Sequence, residues 1–362
     1  MNARIESVDV LRGLTIVAMI LVNTPGTWAH IYPPLLHAEW HGYTPTDLIF
    51  PFFLFIVGTS IAFAYQNKKP TLPTYKKIGI RSLKLIGLGL FLAAFLPYFP
   101  FIKEFSRLRF PGVLQRIGVV FFFAAMLSIH FNWKVLLGAI IILLFGYWIW
   151  LGFIPLPDGT LPTFNRAPNN WANYIDVTVM KGHIWKKDYD PEGLLSTLPA
   201  IATSLIGVLI GKIILSKLKS TTGILFLLGI VMIGFGYVWD VWFPFNKAIW
   251  SSSFVLVTAG WGTFFLSVLY YINDVKKIRF GTIFKYVGSN AIIIFFTSSF
   301  ITKVFYLTKI GDTTIHGWIY KTFFTSVISI AKLASLCYAL SVVSFYLCVG
   351  YILYKKRIFI KV

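Results

Sequence analysis

Residues 47–65 read DLIFPFFLFIVGTSIAFAY, one carboxylate followed by eighteen residues without a charge. A helix needs about 20 mainly apolar residues to cross the hydrocarbon core of a bilayer. This stretch is close to that length, with no period-two alternation to suggest a strand. The same signature recurs at 8–23, 80–98, 112–130, 135–153, 194–212, 223–242, 252–272, 286–304 and 329–353. Backbone in lipid must satisfy its own hydrogen bonds. The pattern therefore predicts an all-α polytopic membrane protein, a bundle of about ten spans forming one domain over residues 1–362.

Composition agrees. Of 362 residues 57% are hydrophobic and only 13% charged, against roughly 25% charged in ordinary globular domains. A soluble fold of this size could not cover itself with so few polar side chains. The net charge of +20, from 33 Lys+Arg against 13 Asp+Glu, would suggest nucleic acid in a soluble protein. Here the basic residues sit in short segments between apolar runs, where they act as topology signals, and nucleic-acid binding is not expected. Cys337 and Cys348 both fall in the last apolar run, so neither a disulfide framework nor a metal site is indicated. No small-residue cleavage pattern follows the first apolar stretch, which reads as a retained helix and not a removed signal.

Charge placement orients the bundle. With the N-terminus cytoplasmic, the inner segments hold Arg4, Arg12, Lys68, Lys69, Lys76, Lys77, Arg81, Lys84, Lys134, Lys212, Lys217, Lys219, Lys276, Lys277, Arg279, Lys285, Lys355, Lys356, Arg357 and Lys361, twenty of the 33 cations. An even number of spans puts both termini inside, in the inner (plasma) membrane. Lys303, Lys309, Lys321 and Lys332 weaken the pattern toward the C-terminus. The outer segments are longer and richer in Trp, Tyr, Pro and Asn. The largest, about 154–193, is too polar to span and too small for a domain. Its aromatics, Trp171, Tyr174, Trp185 and Tyr189, argue for an ordered lid.

Polar residues at helix mouths are functional candidates in a membrane protein. They are densest on the turn between the first two spans, where Asn23 closes one helix, Asp47 opens the next, and His37, Glu39, Trp40 and His41 lie between. Asp47 could serve only the helix N-terminus, and the histidines could be interfacial. The alternative is acid–base chemistry, in which a carboxylate fixes an imidazole as general base and an Asn donates to an oxyanion. His37-x-x-x-His41 lacks the third ligand and the glutamate placement of a zinc site, so no metal is expected.

These residues carry a resemblance. The stretch LLHAEWHGYTPTDLIFPFFLFIVG (35–58) resembles the core motif of heparan-α-glucosaminide N-acetyltransferases and their bacterial transmembrane relatives. SVDVLRGLTIVAMILVN (7–23), LRFPGVLQRIGVVFF (108–122), DYDPEGLLSTLPAI (188–201) and PFNKAIWSSSFVL (244–256) are similar to further family signatures, in order along nearly the whole chain. The resemblance implies a membrane enzyme that takes the acetyl group of cytosolic acetyl-CoA and transfers it to the amine of a terminal or free glucosamine on the outer side. It implies that the essential histidine is His37, that Asn23 and Asp47 belong to its site, that the protein is a homodimer, and that the chain starts at the shared core without the extra luminal domain of lysosomal members. His41 and Glu39 depart from the lysosomal pattern, which leaves the acceptor sugar open, as it does the choice between direct transfer and an acetyl-histidine intermediate.

On this reading Arg12, Arg81, Lys84 and Lys134 are candidates for the CoA phosphates at the inner mouth, each equally explained by topology. Arg116, a cation buried in a membrane helix, is a further acetyl-CoA-binding candidate, with a structural ion pair as the plainer alternative. Trp40, His41, Glu192, Lys247, Trp250 and Asn290 are candidates for the acceptor, with capping, interfacial anchoring or a helix–helix hydrogen bond as the plainer alternatives. Asp190 could bind sugar or cap a helix, and Asp9 and Arg12 are spaced to pair. His30, His183 and His316 are expected to be solvated or lid residues, and His130 to meet headgroups. A secondary transporter of an amino sugar is the main rival, but no internal repeat of the kind such transporters carry is evident. An O-acetyltransferase of an envelope polysaccharide and an envelope assembly protein are further alternatives.

Overall fold

A computed structural model describes residues 5–66 and 68–360. Arg4 and Lys361, counted above in the orientation, lie outside the described residues. Thirteen α-helices run in chain order: α1 Glu6–Asn23, α2 Ile49–Tyr65, α3 Leu72–Ala94, α4 Val113–His130, α5 Trp133–Phe153, α6 Trp171–Met180, α7 Thr197–Leu215, α8 Thr221–Asp240, α9 Ser252–Leu269, α10 Thr282–Gly288, α11 Ala291–Leu307, α12 Ile315–Tyr320 and α13 Ala331–Lys355. The strands among the described residues are two-residue pieces, β1 Lys309–Ile310 and β2 Thr313–Thr314, paired as a hairpin. The chain is an all-α polytopic membrane protein. Nine of the ten expected spans fall on single helices, displaced by several residues at the ends in α3 and α7, and the tenth, 286–304, falls across α10 and α11.

Among the described residues seven helices are long and apolar enough to cross a membrane, and an eighth span results if α10 and α11 are taken together, against the ten expected. The expected span at 286–304 is not one straight helix: α10 and α11 meet at an angle of 79°. The sequence KYVGSNAI holds the cause, since Gly288 lies against the backbone of Asp9 on α1 and Asn290 leaves the helical path with its side chain turned to the C-terminal tail. α1 and α3 are more charged than the other spans. Glu6, Asp9 and Arg12 fall in the first half of α1, and Lys76, Lys77, Arg81 and Lys84 in the first half of α3.

α2 and α7 form the centre and are the most buried spans; α5, α8 and α13 are peripheral and present apolar faces outward. α2 and α7 touch backbone to backbone. A Cβ on Gly58 would stand 1.9 Å from the Ser204 carbonyl oxygen, and one on Gly207 2.0 Å from that of Phe55. In lipid, where apolar burial gives helices little reason to associate, small residues allow this close dispersion contact.

The connectors gather at two ends. At one, 24–48, 95–112, 154–196 and 241–251 meet: Gly42 N–H donates to Phe245 O, Phe110 N–H to His183 O, and Trp40 Nε1–H to Phe164 O. At the other lie the starts of α1, α3, α5 and α10 and the end of α13. There Asp274 accepts from the Glu6 and Ser7 N–H groups, Lys285 pairs with Glu6 at 2.6 Å, and Tyr75 bonds His130.

Segment 154–193 contains α6, capped by the Asn170 side chain. Trp171 Nε1–H donates to Ile154 O, and Arg166 pairs with Asp188 over the Tyr189 ring. This lid packs on its own apolar cluster of Tyr147, Leu151, Ala172, Leu195, Phe243 and Ile249.

Candidate active site

Asp47 is fixed before any chemistry is considered. Pro45 starts a short 3-10 turn leading into α2, and the Asp47 carboxylate reaches back to the Thr44 N–H at 3.0 Å, as in a capping box. The same oxygen, Oδ2, accepts from Ala38 N–H at 3.0 Å and lies 3.2 Å from the Thr44 hydroxyl. Oδ1 is left for the His37 Nδ1, at 2.6 Å. Asp47 is 1% exposed, while the His37 side chain is 50% exposed. A buried acceptor locked by two backbone N–H donors, with the Thr44 hydroxyl beside it giving its own proton to Leu36 O at 2.6 Å, therefore holds a half-exposed imidazole. With Nδ1–H donating to Asp47, Nε2 carries the free lone pair of a base.

Lys247, from the connector between α8 and α9, completes the group. Its Nζ lies 3.0 Å from His37 Nδ1, 3.5 Å from Nε2 and 3.4 Å from Asp47 Oδ1. Burial pulls the ammonium below the usual lysine range, against the attraction of Asp47 and Glu192.

Behind this trio stands a second network that ties the lid to the start of α4. Arg109 binds both oxygens of Asp190, at 2.8 and 2.6 Å, and Glu192 at 2.5 Å. These carboxylates hold the Arg109 guanidinium above its ordinary range, although burial opposes them. Arg116, one α4 turn into the bundle, donates through Nη2 to Gly193 O and Ser196 Oγ, while its buried Nε and Nη1 have no hydrogen-bond partner. It lies over the Trp250 ring at 5.2 Å, and that ring packs on Phe50 just past Asp47. Asp176 of α6 accepts from Leu194 N–H beside Gly193, and burial pushes its carboxyl up to about 7.

Several expected residues thus come together: His37, Asp47 and Lys247 form the trio, Glu192 lies within electrostatic reach of Lys247, and Arg116 behind them holds the lid backbone at Gly193. Trp40 stacks edge-on with Tyr189 and bonds Phe164 O, and His41 Nε2 lies 2.9 Å from Asn165 Oδ1, so both clasp the lid. Others are placed elsewhere. Asn23 is exposed at the end of α1, with no hydrogen bond to His37 or Asp47. Trp250 is fully buried, held by Nε1–H to Thr203 Oγ1 in a left-handed backbone turn (φ 54°), and cannot meet a sugar at the surface. Asn290 sits at the opposite end, bonded to the tail at Ile358 and Ile360, so an acceptor role for it is withdrawn.

Arg116 is at the His37 end and not among the cations of the other mouth. Of those, Arg12 pairs with Asp9 at 3.0 Å, as its spacing suggested, and reaches Ser60 of α2. Arg81 stacks on Phe121, within electrostatic reach of Arg12 and Tyr65, with its buried Nε unpartnered. Lys84 and Lys134 are exposed away from them, Lys134 over Trp133.

His316, expected to be solvated, is buried against Tyr306 at 3.9 Å and near the Pro25 carbonyl. His183 stacks on Phe110 and bonds Leu108 O, a lid role. His130 is tied to Tyr75 by stacking as well as by its hydrogen bond. Arg109 escaped the sequence reading. Its signal was two carboxylates in DYDPEG with no cation assigned to them.

Between the C-terminal ends of α2, α4 and α7 lies a cavity of about 310 Å³, lined by Ala62, Tyr65, Gln66, Ser128, Lys212, Leu215 and Ser216. Tyr65 joins it to the Arg81 neighbourhood. Buried Leu54, Phe55, Ile61, Phe121 and Leu205 close the core between this cavity and His37.

Comparison with known proteins gives the same family from outside the structure. Residues 4–234 match the family described as heparan-alpha-glucosaminide N-acetyltransferase, catalytic. The human protein named heparan-alpha-glucosaminide N-acetyltransferase is 30% identical over 420 aligned positions, covering 99% of this chain, and its mouse counterpart is 29% identical over 419, also covering 99%. The chain spans 60% of the length of each. By sequence and by the extent of the match, this chain belongs to the heparan-α-glucosaminide N-acetyltransferase catalytic family.

Proposed function

We propose that the chain is an N-acetyltransferase that carries acetyl from cytosolic acetyl-CoA to the amine of a terminal or free glucosamine on the far side of the membrane. The observation that carries this reading is the His37–Asp47 pair, with its buried carboxylate held by two backbone N–H groups and its half-exposed imidazole. An amine nucleophile attacks only when unprotonated, and the tetrahedral intermediate must shed a proton. A neutral imidazole oriented by a carboxylate does both tasks near neutral pH. Trp40 and His41 at the rim, with Glu192 behind them, would orient the sugar.

Acetyl-CoA fits the other end. Its phosphates would stay at the basic mouth near Arg81 and Arg12, beside the 310 Å³ cavity. Its uncharged pantetheine arm would enter the bundle, where the two unfilled N–H groups of Arg116 could receive an amide carbonyl. The packed core between cavity and imidazole means that α2, α4 and α7 must part for the arm to pass. Lys84 and Lys134, exposed and apart, would act on the nucleotide only at long range. Two copies of the chain would associate through a peripheral apolar face.

The test is purified protein in detergent with labelled acetyl-CoA and glucosamine, wild type against His37→Ala. Acetylated sugar from the wild type alone is the expected result. Labelled protein trapped before acceptor is added would assign the acetyl-histidine route. No product from wild type, together with sugar uptake into liposomes without modification, would overturn the proposal.

A further inference from the structure

We infer that Lys247 is the oxyanion donor of this site, its ammonium hydrogen-bonding the thioester oxygen as the amine attacks. The inference rests on the acetyl-transfer reading and replaces the acceptor-binding role expected for this lysine. It begins from the two distances to the ring. A donor bonded to the Nδ1 lone pair lies in the ring plane and leaves Nε2 far behind. At 3.0 Å from Nδ1 and 3.5 Å from Nε2, Nζ stands over the face of the imidazole. Nor is the lone pair available, because Nδ1 carries the proton that it donates to the Asp47 carboxylate at 2.6 Å. One of the three Lys247 donors is directed to Asp47 Oδ1 at 3.4 Å. The remaining donors have no acceptor in the ring plane and border the space in front of Nε2, where the reacting carbonyl must lie if Nε2 is to take the amine proton.

Asn23, the residue expected to donate there, is exposed at the end of α1 and unconnected to the pair. Lys247 is held in place by its neighbours. The preceding Asn246 is fully buried, its N–H donating to Ser251 Oγ and its Oδ1 accepting from Ile249 N–H. A preorganised donor of this kind needs no reorientation as charge develops, which is the source of oxyanion stabilisation in a site of low dielectric.

The step balances. The amine lone pair forms the C–N bond and the carbonyl π pair moves onto oxygen, facing Lys247, while the amine proton passes to His37 Nε2. Collapse restores the C=O bond and breaks C–S, the pair leaving on sulfur, which takes the proton from Nε2 to give the free thiol.

The groups facing Lys247 are His37 from the connector, Asp47 from the start of α2 and Glu192 from the lid. Because its burial lowers the ammonium below the usual lysine range, loss of that proton should appear as an alkaline fall in kcat.

The experiment uses the full chain in detergent, with labelled acetyl-CoA and glucosamine. Lys247→Met is expected to lower kcat by about 10²–10³, the loss typical of one oxyanion donor, with both KM values little changed and the alkaline limb of kcat gone. Lys247→Cys treated with 2-bromoethylamine restores an amine of the same reach and should recover most of the loss, whereas treated Lys247→Met, in which only Cys337 and Cys348 can react, should recover none. Should Met disturb the fold, seen as a lowered Tm, this chemical rescue decides the matter within a single folded variant. A Met variant with kcat near that of wild type, or a loss confined to the KM for glucosamine, would overturn the assignment while leaving acetyl transfer standing. A wild type that transfers no acetyl would overturn both.

Discussion

Asp47→Asn separates the role of the carboxylate from its shape. The wild-type group accepts on both sides: Oδ2 from Ala38 N–H and Thr44 N–H at 3.0 Å each, and Oδ1 from His37 Nδ1 at 2.6 Å. An amide has only one oxygen. If its NH₂ turned toward Ala38 and Thr44, two buried donors would face a third, and each unsatisfied group costs about 1–3 kcal/mol. The oxygen therefore stays with the backbone and the NH₂ turns to the ring. His37 Nδ1 must then accept, its proton moves to Nε2, and the base is lost from the nitrogen that faces substrate. The equivalent tautomer reversal in a serine-protease triad costs about 10⁴ in kcat, or about 5.5 kcal/mol of barrier. The fold should survive, since the backbone bonds are kept. The assay is acetyl transfer at saturating acetyl-CoA and glucosamine, with Tm in the same detergent. A variant that keeps more than about a tenth of wild-type kcat would refute the tautomer argument, and so would an activity loss matched by collapse of Tm.

Other outcomes follow from the surrounding structure. Arg109→Met leaves Asp190 and Glu192 without their cation, and removing one partner of a buried pair costs about 3–5 kcal/mol; a lower Tm and faster proteolytic cleavage within 154–193 should be seen, and an unchanged cleavage rate would count against the clamp. Asp176 has its carboxyl raised to about 7 by burial, so between about pH 4 and 7 the unfolded chain ionises first and stability falls as pH rises. Asp176→Asn should flatten that fall and raise Tm at pH 8 but not at pH 4; a wild-type Tm independent of pH over this window would contradict it. Ser128→Trp fills the cavity between α2, α4 and α7 and should raise the KM for acetyl-CoA by about tenfold, roughly 1.4 kcal/mol, leaving that for glucosamine alone; equal effects on both would detach the cavity from the donor.

Much of this architecture was legible because the sequence states it in strong, local terms. Eighteen uncharged residues after Asp47 admit little but a buried helix, and Pro45 with Asp47 mark its start by ordinary capping chemistry. The same turn locks the Asp47 carboxylate, so its pairing with His37 was legible too. What escaped depends on contacts distant in the chain. The break between α10 and α11 follows from Gly288 meeting the backbone of Asp9, a contact no window over 286–304 contains. Trp250 and Asn290 look like mouth residues in sequence, yet one is folded inward by a left-handed turn and the other is at the opposite end, bound to the tail. Arg109 was passed over because its carboxylate partners lie about eighty residues away. His316 shows the same limit: a polar segment surrounds it, but three tyrosines from other elements and its own helix enclose it.

The separation of the two ends has an energetic logic. Even the modest scales put a charged side chain at the bilayer centre at about 2.5–3.5 kcal/mol, and a nucleotide carries several charges. An enzyme that moved the whole donor across would face that cost for every phosphate. Keeping the phosphates at a basic mouth and passing only an uncharged arm avoids it, provided that the base waits at the far rim. α2 is arranged for this division, with Asp47 at one end, the cavity residues Ala62 and Tyr65 at the other, and Gly58 between them against Ser204 of α7. The glycine contact lets two helices lie so close that no arm fits between them at that point. The route must therefore run beside α4, past Phe121 and toward Arg116, whose buried N–H groups lack partners. On the proposed reading, the tight α2–α7 seam leaves the α4 side for the donor's arm, and the unpartnered N–H groups of Arg116 are where an arriving amide would bind.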